Sequence, residues 1–488
     1  MKNRPNIIYI LVDDMGYGDL SCLNPQSQIH TRHLDSMASA GMAFSDAHSS
    51  SAVCTPSRYS ILTGRYNWRS RLKKGVLNGY SSPLIEPGRM TVASYVKGHG
   101  YHTAMIGKWH LGWDWSTTDG QPVAKNGANV DYEGPVANGP DTYGFDYYYG
   151  HCGSLDMAPY VYVENGAITS APDRITGSKE KFSWWREGPT GADFEHEDVL
   201  PNFTRRGVRY IEERAAAGEP FFLYFPMPAP HTPILPTAEF RGKSGTNLYG
   251  DFCLMVDDVV GQFRNALERS GIADNTILIF TSDNGCSNQA DYAELATFGH
   301  NPSYVFRGHK ADIYEGGHRI PLLVEWPEGI QAGSISDETV CLGDLLATCA
   351  DILGTPIPDN AGEDSVSNLS VWQGKQLDQT LREATIHHSI DGSFSIRKGK
   401  WKLEMCPGSG GWSDPTPGPA CEGLPPIQLY NLDTDIGERT NVYDEYPEVV
   451  AELKTLLTRY VETGRSTPGQ PQENTGGPGW EQLWWMNA

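Results

Sequence analysis

The chain has 488 residues, of which 39% are hydrophobic and 20% charged, a composition typical of a folded protein with a buried core. Lys and Arg number 38 and Asp and Glu 60, and the formal charge of −22 argues against a nucleic acid or an anionic membrane as a partner. Any anionic ligand must therefore be held by positive charge that is gathered locally. The length predicts two unequal domains, or one large α/β domain with an appendage.

The sequence carries no sign of a membrane span or an export signal. No apolar run approaches the ~18 residues of a membrane helix. The opening stretch MKNRPNIIYILVDD passes from two basic residues into a predicted core strand, without a small-residue cleavage site. This favours a cytoplasmic protein, or a mature chain whose leader was removed and replaced by Met.

Five continuous apolar runs predict strands buried on both faces of a parallel sheet, at residues 6–12, 101–107, 221–227, 276–282 and 320–326. Before the fourth run, apolar residues three and four apart from Phe252 to Leu267 predict a helix that Gly271 ends. Such alternation predicts an α/β fold with a large, mostly parallel sheet and helices on both faces. Ligands of these sheets bind at the carboxyl ends of the strands, and polar clusters follow four of the runs.

The residue composition and the hydrophobic pattern change at two places along the chain. Residues from about 113 to 200 are irregular and rich in Gly, Pro, Trp and Tyr, which predicts long loops over a binding face. Beyond about 370, FSIRKGKWKLE alternates like two short antiparallel strands joined at residues 398–400, and EYPEVVAELKTLLTRYVETG is typical of an amphipathic helix. We therefore predict an N-terminal domain over residues 1–369 and a smaller C-terminal α+β domain, with a short antiparallel sheet, over residues 370–488.

The nine cysteines are scattered and include no CxxC pair. Cys406 and Cys421 flank a loop rich in Gly and Pro, so a disulfide between them is one expectation and two free thiols the other.

Two carboxylate-bearing clusters follow predicted strands. Asp13 and Asp14 follow the first strand, and Asp283 and Asn284 follow the fourth. Singly, each cluster could be a turn or a helix cap, since Asn284-Gly285 is a strong turn dipeptide. Together they gather negative charge at one sheet edge, and oxygen ligands suit a hard cation such as Ca²⁺ or Mg²⁺.

Basic side chains follow other strands. Lys108 and His110 in GKWHLG are predicted on the same side of an extended chain, although an ordinary loop gives the same pattern. His231 in PAPHTP lies between prolines that stiffen the backbone, and a packed loop histidine is the alternative. Lys310 precedes a glycine-rich stretch and could simply be solvated.

Cys54 stands in AVCTPSRYSILTGRY. Pro56 suits the first turn of a helix and Gly64 its end, so Cys54 is predicted at a helix N-terminus, where the pKa of a thiol is lowered. Arg58 lies one helical turn beyond and could reach back over the thiol. A buried structural cysteine, a metal ligand and a nucleophile are the open alternatives.

These residues resemble the signature of the type I sulfatases, of the alkaline phosphatase superfamily, in which the Cys of C-x-P-S-R is oxidised to formylglycine. The resemblance covers nearly the whole chain and keeps the order of the motifs. The matching segments are PNIIYILVDDMGYGDL, CTPSR with LTGRY, IGKWHLG, FTSDNG, FRGHKADIYEGGHRIP and LYNLDTDIGERTN. The resemblance implies a sulfatase-like fold with a catalytic N-terminal domain.

The resemblance also implies a site. It implies one Ca²⁺ and a formylglycine made from Cys54 by a formylglycine-generating or radical sulfatase-maturating enzyme. The implied metal ligands are Asp13, Asp14, Cys54, Asp283 and Asn284. The implied catalytic residues are Cys54, Arg58, Lys108, His110, His231, Asp283 and Lys310.

The implied mechanism starts from the hydrated aldehyde, which attacks sulfur with Asp283 as base. Lys108, Lys310 and Arg58 would stabilise charge on the sulfate oxygens, and His231, with Lys310, would protonate the departing alcohol. A proton taken from the second diol oxygen by the histidine of KWH would then expel sulfate and restore the aldehyde.

The aromatic loops SLDMAPYVYVEN and SWWREGP are similar to those of bacterial carbohydrate sulfatases. This implies a sulfated galactose or N-acetylgalactosamine unit of a galactan, carrageenan or glycosaminoglycan as substrate, and a periplasmic or secreted location. The candidate sugar contacts are His151, Arg174, Arg186 and His388, with an ordinary loop residue as the alternative for each histidine. A phosphonate or phosphate ester hydrolase of the same superfamily and a non-catalytic sulfated-glycan-binding protein are the rival functions.

Overall fold

The computed structural model describes residues 4–477 and 479–486. The strands are β1 (Asn6–Asp13), β2 (Met42–Phe44), β3 (Ala47–His48), β4 (His102–Lys108), β5 (Tyr147–His151), β6 (Val163–Glu164), β7 (Ala167–Ile168), β8 (Pro172–Lys179), β9 (Trp184–Gly191), β10 (Phe221–Pro230), β11 (Thr276–Ser282), β12 (Leu322–Glu325), β13 (Ser334–Ser336), β14 (Val340–Cys341), β15 (Thr385–His388), β16 (Phe394–Lys398), β17 (Trp401–Glu404) and β18 (Gln428–Asn431). The helices are α1 (Arg32–Ala40), α2 (Cys54–Thr63), α3 (Val92–Gly98), α4 (Val199–Ala217), α5 (Leu248–Arg269), α6 (Tyr292–Thr297), α7 (Glu315–His318), α8 (Leu345–Leu353), α9 (Leu369–Trp372) and α10 (Pro447–Glu462).

The larger part of the chain is built on a ten-stranded sheet in the order β13-β2-β12-β11-β1-β10-β4-β5-β6-β7. Its central strands are parallel, because β1 pairs with both β10 and β11, and β10 pairs with β4. The fifth predicted strand, β12, runs antiparallel between β11 and β2. The predicted α/β class, with a large and mostly parallel sheet, is confirmed.

The central strand β1 is buried on both faces, as its apolar run predicts. Odd-numbered residues from Ile7 to Leu11 face one hydrophobic core, and even-numbered residues from Ile8 to Val12 face the other. Helices α2, α3 and α8 cover the first core, and α4 and α5 cover the second. Packing on both faces holds the central strands in place, and polar side chains lie at their carboxyl ends, beyond the two cores.

The prediction of loops over residues 113–200 is wrong in part. β5 joins the large sheet, and β8 and β9 form a separate antiparallel hairpin. Side chains along β8 alternate between exposed and half-buried positions. This hairpin has no fully buried apolar face, so it lacks the hydrophobic periodicity that marks a strand in a sequence.

The predicted C-terminal sheet is present, as four antiparallel strands in the order β15-β16-β17-β18. Gly399 has a φ of 56° in the turn between β16 and β17, and α10 packs on the same core through Leu453 and Leu457. Val371 and Trp372 of α9 pack instead in the first core of the large sheet. The boundary at 369/370 stays a prediction.

Two further observations concern the described residues. Cys406 and Cys421 are free thiols, so the expectation of a disulfide between them is wrong, and the sulfur of Cys421 faces the carbonyl oxygen of Thr416 within its own loop. In residues 4–477 and 479–486, no helix combines the length and the apolar character needed to cross a bilayer.

Candidate active site

Four neighbouring strands end in polar residues. Asp13 is the last residue of β1 and Lys108 the last of β4, while His231 follows β10 and Asp283 follows β11. Since β11, β1, β10 and β4 lie side by side, the four side chains meet at the carboxyl edge of the sheet. All four residues are buried. The structure therefore brings these residues together at the strand ends, as predicted.

Three carboxylates converge at this edge. Asp14 has a left-handed φ of 69°, which turns the chain after β1 and brings its carboxylate beside that of Asp13. Donor atoms of Asp13, Cys54 and Asp283 lie within 4.8 Å of one another, as do those of Asp13, Asp14 and His231. The grouping makes one compact set of acidic ligands.

The donor set fits a hard cation. Asp13 Oδ1 and Asn284 Oδ1 are buried and have no hydrogen-bond partner among the described residues. Asn284 is held in place by its Nδ2, which donates to Asp14 Oδ1 at 2.7 Å. Buried polar atoms are nearly always partnered, so two free oxygens among carboxylates indicate a place for a divalent cation with oxygen ligands.

Two lysines neutralise two of the carboxylates. Lys108 Nζ lies 2.5 Å from Asp13 Oδ2, and Lys310 Nζ lies 2.6 Å from Asp14 Oδ1. Burial raises the pKa of Asp13, but Lys108, His231, Arg58 and Lys310 together outweigh burial and hold that pKa well below its usual range. Asp13 therefore keeps its negative charge at neutral pH although it is buried.

Arg58 pairs with the third carboxylate. Its Nε and Nη2 donate to Asp283 Oδ2 at 3.0 and 2.8 Å, and its Nη1 donates to the carbonyl oxygen of Lys108 at 2.8 Å. Burial raises the pKa of Asp283 to about 7, and the charge of Asp13 adds to this rise while Arg58 opposes it. The guanidinium is thus engaged by protein oxygens and fixes the position of Asp283.

Cys54 is the first residue of α2, as predicted. Gly64 follows the helix with a φ of 64° and donates its N–H to Ser60 O, which confirms the predicted end. The prediction of a lowered thiol pKa is wrong: burial raises the pKa of Cys54, although Lys108 and Lys310 act in the opposite direction. Desolvation of the thiolate outweighs both the helix N-terminus and the lysines.

Ser154 connects two of the basic groups. Lys108 Nζ donates to Ser154 Oγ at 3.0 Å, and this oxygen lies 3.2 Å from His231 Nε2. Sequence reasoning missed this serine, because a single hydroxyl in the irregular stretch GHCGSLDMAP has no periodic signal. The signal that could have pointed to Ser154 is the end of a strand: β5 ends at His151, three residues before Ser154, and pairs with β4, which ends at Lys108.

His110 lies close to the cluster, but not on an extended chain as predicted. Its φ is 54°, because its N–H turns to donate to Cys152 O at 2.7 Å. The ring Nε2 donates to Leu77 O at 2.8 Å, and the buried Nδ1 has no partner in the described part of the chain. Burial, together with the charge of Lys108, holds the pKa of His110 well below its usual range. Nδ1 is therefore an unprotonated acceptor.

The predicted sugar contacts fall in two groups. His151 stacks on the ring of Phe203, and His388 packs edge-on against Phe394; both histidines are buried.

The two arginines of this prediction lie on the hairpin β8–β9. Arg174 donates to Phe194 O and pairs with Glu195. Arg186 is half-exposed and pairs with Asp156, two residues beyond Ser154. Only Arg186 is thus connected to the loop that enters the cluster.

Comparison of the sequence with family models and with known proteins assigns the chain to one enzyme family. A family model described as Sulfatase matches residues 5–355. The chain is 34% identical over 501 residues to the N-acetylgalactosamine-6-O-sulfatase of Bacteroides thetaiotaomicron, covering 93% of each chain. It is 32% identical over 472 residues to arylsulfatase A of Homo sapiens, covering 93% of this chain and 87% of the relative.

A solved structure also has the same fold as this chain. It was described in a study of the metabolism of multiple glycosaminoglycans by Bacteroides thetaiotaomicron, and it matches with a TM-score of 0.80 and 33% identity, covering 93% of this chain and 99% of that one. The chain belongs to the sulfatase family and is a sulfuric ester hydrolase.

Proposed function

We propose that this protein removes sulfate from an N-acetylgalactosamine or galactose unit of a sulfated glycan, with a formylglycine at position 54 and one Ca²⁺. The observation that carries the proposal is the convergence of Cys54 with three buried carboxylate–cation pairs at one sheet edge. A sulfate ester is an anion, and a chain with a net charge of −22 needs such a local group of cations to bind it.

Asp13, Asp14, Asp283 and Asn284 would hold the Ca²⁺. When bound, this ion supplies positive charge beside the sulfate and lowers the pKa of a coordinated hydroxyl. The unpartnered oxygens of Asp13 and Asn284 support this ligand set.

Oxidation of Cys54 would place a hydrated aldehyde at the start of α2, with an oxygen in the position of the thiol. The raised pKa of the thiol disfavours Cys54 itself as the nucleophile. Every residue of α2 is buried. The maturation enzyme would therefore act on this segment before the chain has folded.

Lys108 and Lys310 would bind the sulfate oxygens, because their ammonium groups lie on two sides of the carboxylate cluster. Burial and the charge of Lys310 both lower the pKa of His231. We therefore assign protonation of the departing alcohol to His231 and Lys310 together.

Arg58 would hold Asp283 in place as the proposed base. His110 would receive a proton at Nδ1, the one ring nitrogen that no neighbouring group in the described ranges occupies.

The relatives and the rim of the site support the proposed substrate class. The relative named N-acetylgalactosamine-6-O-sulfatase supports a 6-sulfated N-acetylgalactosamine. Arg186 and Asp156 would contact the sugar, because they lie beside the loop of Ser154 and Arg186 reaches solvent. A polysaccharide substrate favours a periplasmic or secreted location.

The test measures sulfate release by the matured protein from N-acetylgalactosamine-6-sulfate, N-acetylgalactosamine-4-sulfate and galactose-6-sulfate. Phosphate release from N-acetylgalactosamine-6-phosphate is measured for comparison. Ion chromatography separates the two anions. We expect sulfate release, fastest from a 6-sulfated sugar. Faster release of phosphate would favour the superfamily rival. Saccharide binding without turnover by protein that carries the aldehyde would favour a binding protein, and turnover of aryl sulfates alone would exclude the carbohydrate.

A further inference from the structure

Two of four basic side chains in the described part of the site reach solvent. The side chains of Lys310 and His231 are 6% and 7% exposed, whereas those of Lys108 and Arg58 are 0% exposed. The sulfate must therefore enter past Lys310 and His231, and the attached sugar must remain outside, against the surface beside these two residues.

A loop of the C-terminal domain, residues 406–421, is hydrogen-bonded to the segment that follows Lys310. The N–H of Ile313 donates to Ser409 O at 2.7 Å, and the N–H of Trp412 donates to Asp312 Oδ1 at 2.7 Å. Asp312 is at most about 7 Å from Lys310, because two residues of chain span no more than about 3.6 Å each. The loop is therefore attached next to the lysine that faces the opening.

The attachment is rigid. The carboxylate of Asp312 is fully buried and accepts hydrogen bonds from the N–H groups of Trp412 and Ser413 as well as from the Ser413 hydroxyl. Gly411 sits directly on the chain below it, since an added Cβ would come within 2.5 Å of the Ala311 backbone. The loop thus rests on the segment that positions Lys310.

Trp412 is 42% exposed although its backbone is anchored in this way. An exposed indole is costly to leave in water, and an aromatic side chain on an anchored backbone offers a large apolar surface with only two side-chain torsions to order. The C–H face of a sugar ring is the complementary partner, and ligand sites commonly combine such aromatic surfaces with a few polar groups.

We infer that Trp412 forms the wall of the sugar-binding site on the Lys310 side, where its indole stacks on a sugar ring of the substrate. This inference rests on the proposed carbohydrate substrate. The C-terminal domain then supplies part of the substrate specificity, while the charged groups of the N-terminal domain bind the sulfate.

The experiment compares Trp412→Ala, Trp412→Tyr and Trp484→Ala in the matured full-length protein. Trp484 is a matched control, because it is 38% exposed in the same domain and its indole N–H donates to Met405 O. Each variant is assayed with a 6-sulfated N-acetylgalactosamine saccharide and with 4-nitrophenyl sulfate. In Trp412→Ala we expect KM for the saccharide to rise about tenfold. The ratio of kcat/KM for the saccharide to kcat/KM for 4-nitrophenyl sulfate should therefore fall about tenfold.

Trp412→Tyr should recover most of this ratio, and Trp484→Ala should keep the wild-type ratio. An unchanged ratio in Trp412→Ala, or an equal fall in Trp484→Ala, would overturn the inference. A wild-type enzyme that cleaves no sulfated saccharide would instead overturn the proposed function, so the two failures can be told apart.

Discussion

Arg58 and Asp283 form a buried pair in which two guanidinium nitrogens donate to a single carboxylate oxygen, at 3.0 and 2.8 Å. The third contact of the guanidinium is the carbonyl oxygen of Lys108. One side chain thus connects α2 to the ends of β4 and β11. Since Arg58 lies one helical turn beyond Cys54, the same contacts fix the thiol position relative to Asp283.

Removal of this guanidinium should be costly. In Arg58→Ala we expect the free energy of unfolding to fall by about 3–5 kcal/mol, because Asp283 is left buried without its partner. Arg58→Lys should lose less, since it keeps the charge but not the fork of donors. Denaturant unfolding measures both. Arg205→Ala is the control, because Arg205 is an exposed arginine paired with Asp198, and an unfolding midpoint equal to that of this control would contradict the role of Arg58.

Ca²⁺ should stabilise the protein independently of turnover. At about a hundredfold excess over its Kd, one bound ion adds about 2.7 kcal/mol to the free energy of unfolding. We expect a higher melting temperature on adding Ca²⁺ to chelator-treated protein, and loss of this shift in Asp13→Asn. Calorimetry on the exposed control Asp444→Asn should give the wild-type shift. An equal shift in Asp13→Asn would exclude the proposed ligand set.

His388 should make the protein less stable in acid. Burial lowers the pKa of its ring to about 3, with the charge of Lys73 adding to the effect, while an unfolded histidine has a pKa near 6.5. Between about pH 6.5 and 3 the unfolded chain binds a proton that the folded chain does not, so stability falls by about 1.4 kcal/mol per pH unit as the pH drops through this window.

The variant His388→Leu removes this proton uptake. Its melting temperature should therefore fall less than that of wild type between about pH 7 and pH 5.5, whereas the exposed control His30→Gln should follow wild type. Parallel loss of melting temperature in His388→Leu and wild type would show that this ring does not titrate on unfolding.

The sequence allowed much of the site to be predicted, because linear motifs and strand ends coincide. The positions of Asp13 and Asp283 follow from the rule that parallel strands present their carboxyl ends at one edge. Arg58 was found through its spacing from Cys54. The pKa of that thiol was predicted wrongly, because the degree of burial depends on long-range packing. Ser154 could not be singled out within GHCGSLDMAP, since its contacts with Lys108 and His231 arise only when the end of β5 comes beside β4.

The hairpin β8–β9 was missed for a related reason. The residues of β8 alternate between exposed and half-buried positions, and the buried residues of β9 are Gly188, Thr190 and Gly191, so the hairpin forms no apolar stripe. Its location beside the site depends on the contact between Arg186 and Asp156, which are 30 residues apart. The loops at the rim of the site are therefore the least predictable part of this chain, and the proposed function assigns the substrate specificity to them.

Cys54 is proposed to act only after oxidation, and the dependence of activity on its oxidation tests this directly. Preparations matured to different extents are digested, the fraction of aldehyde in the Cys54 peptide is determined by mass spectrometry, and the specific activity is plotted against that fraction. We predict a straight line through the origin, with no turnover in a folded Cys54→Ala variant and normal turnover in the loop variant Cys421→Ala. Activity in Cys54→Ala, or in protein whose Cys54 is entirely thiol, would contradict the account.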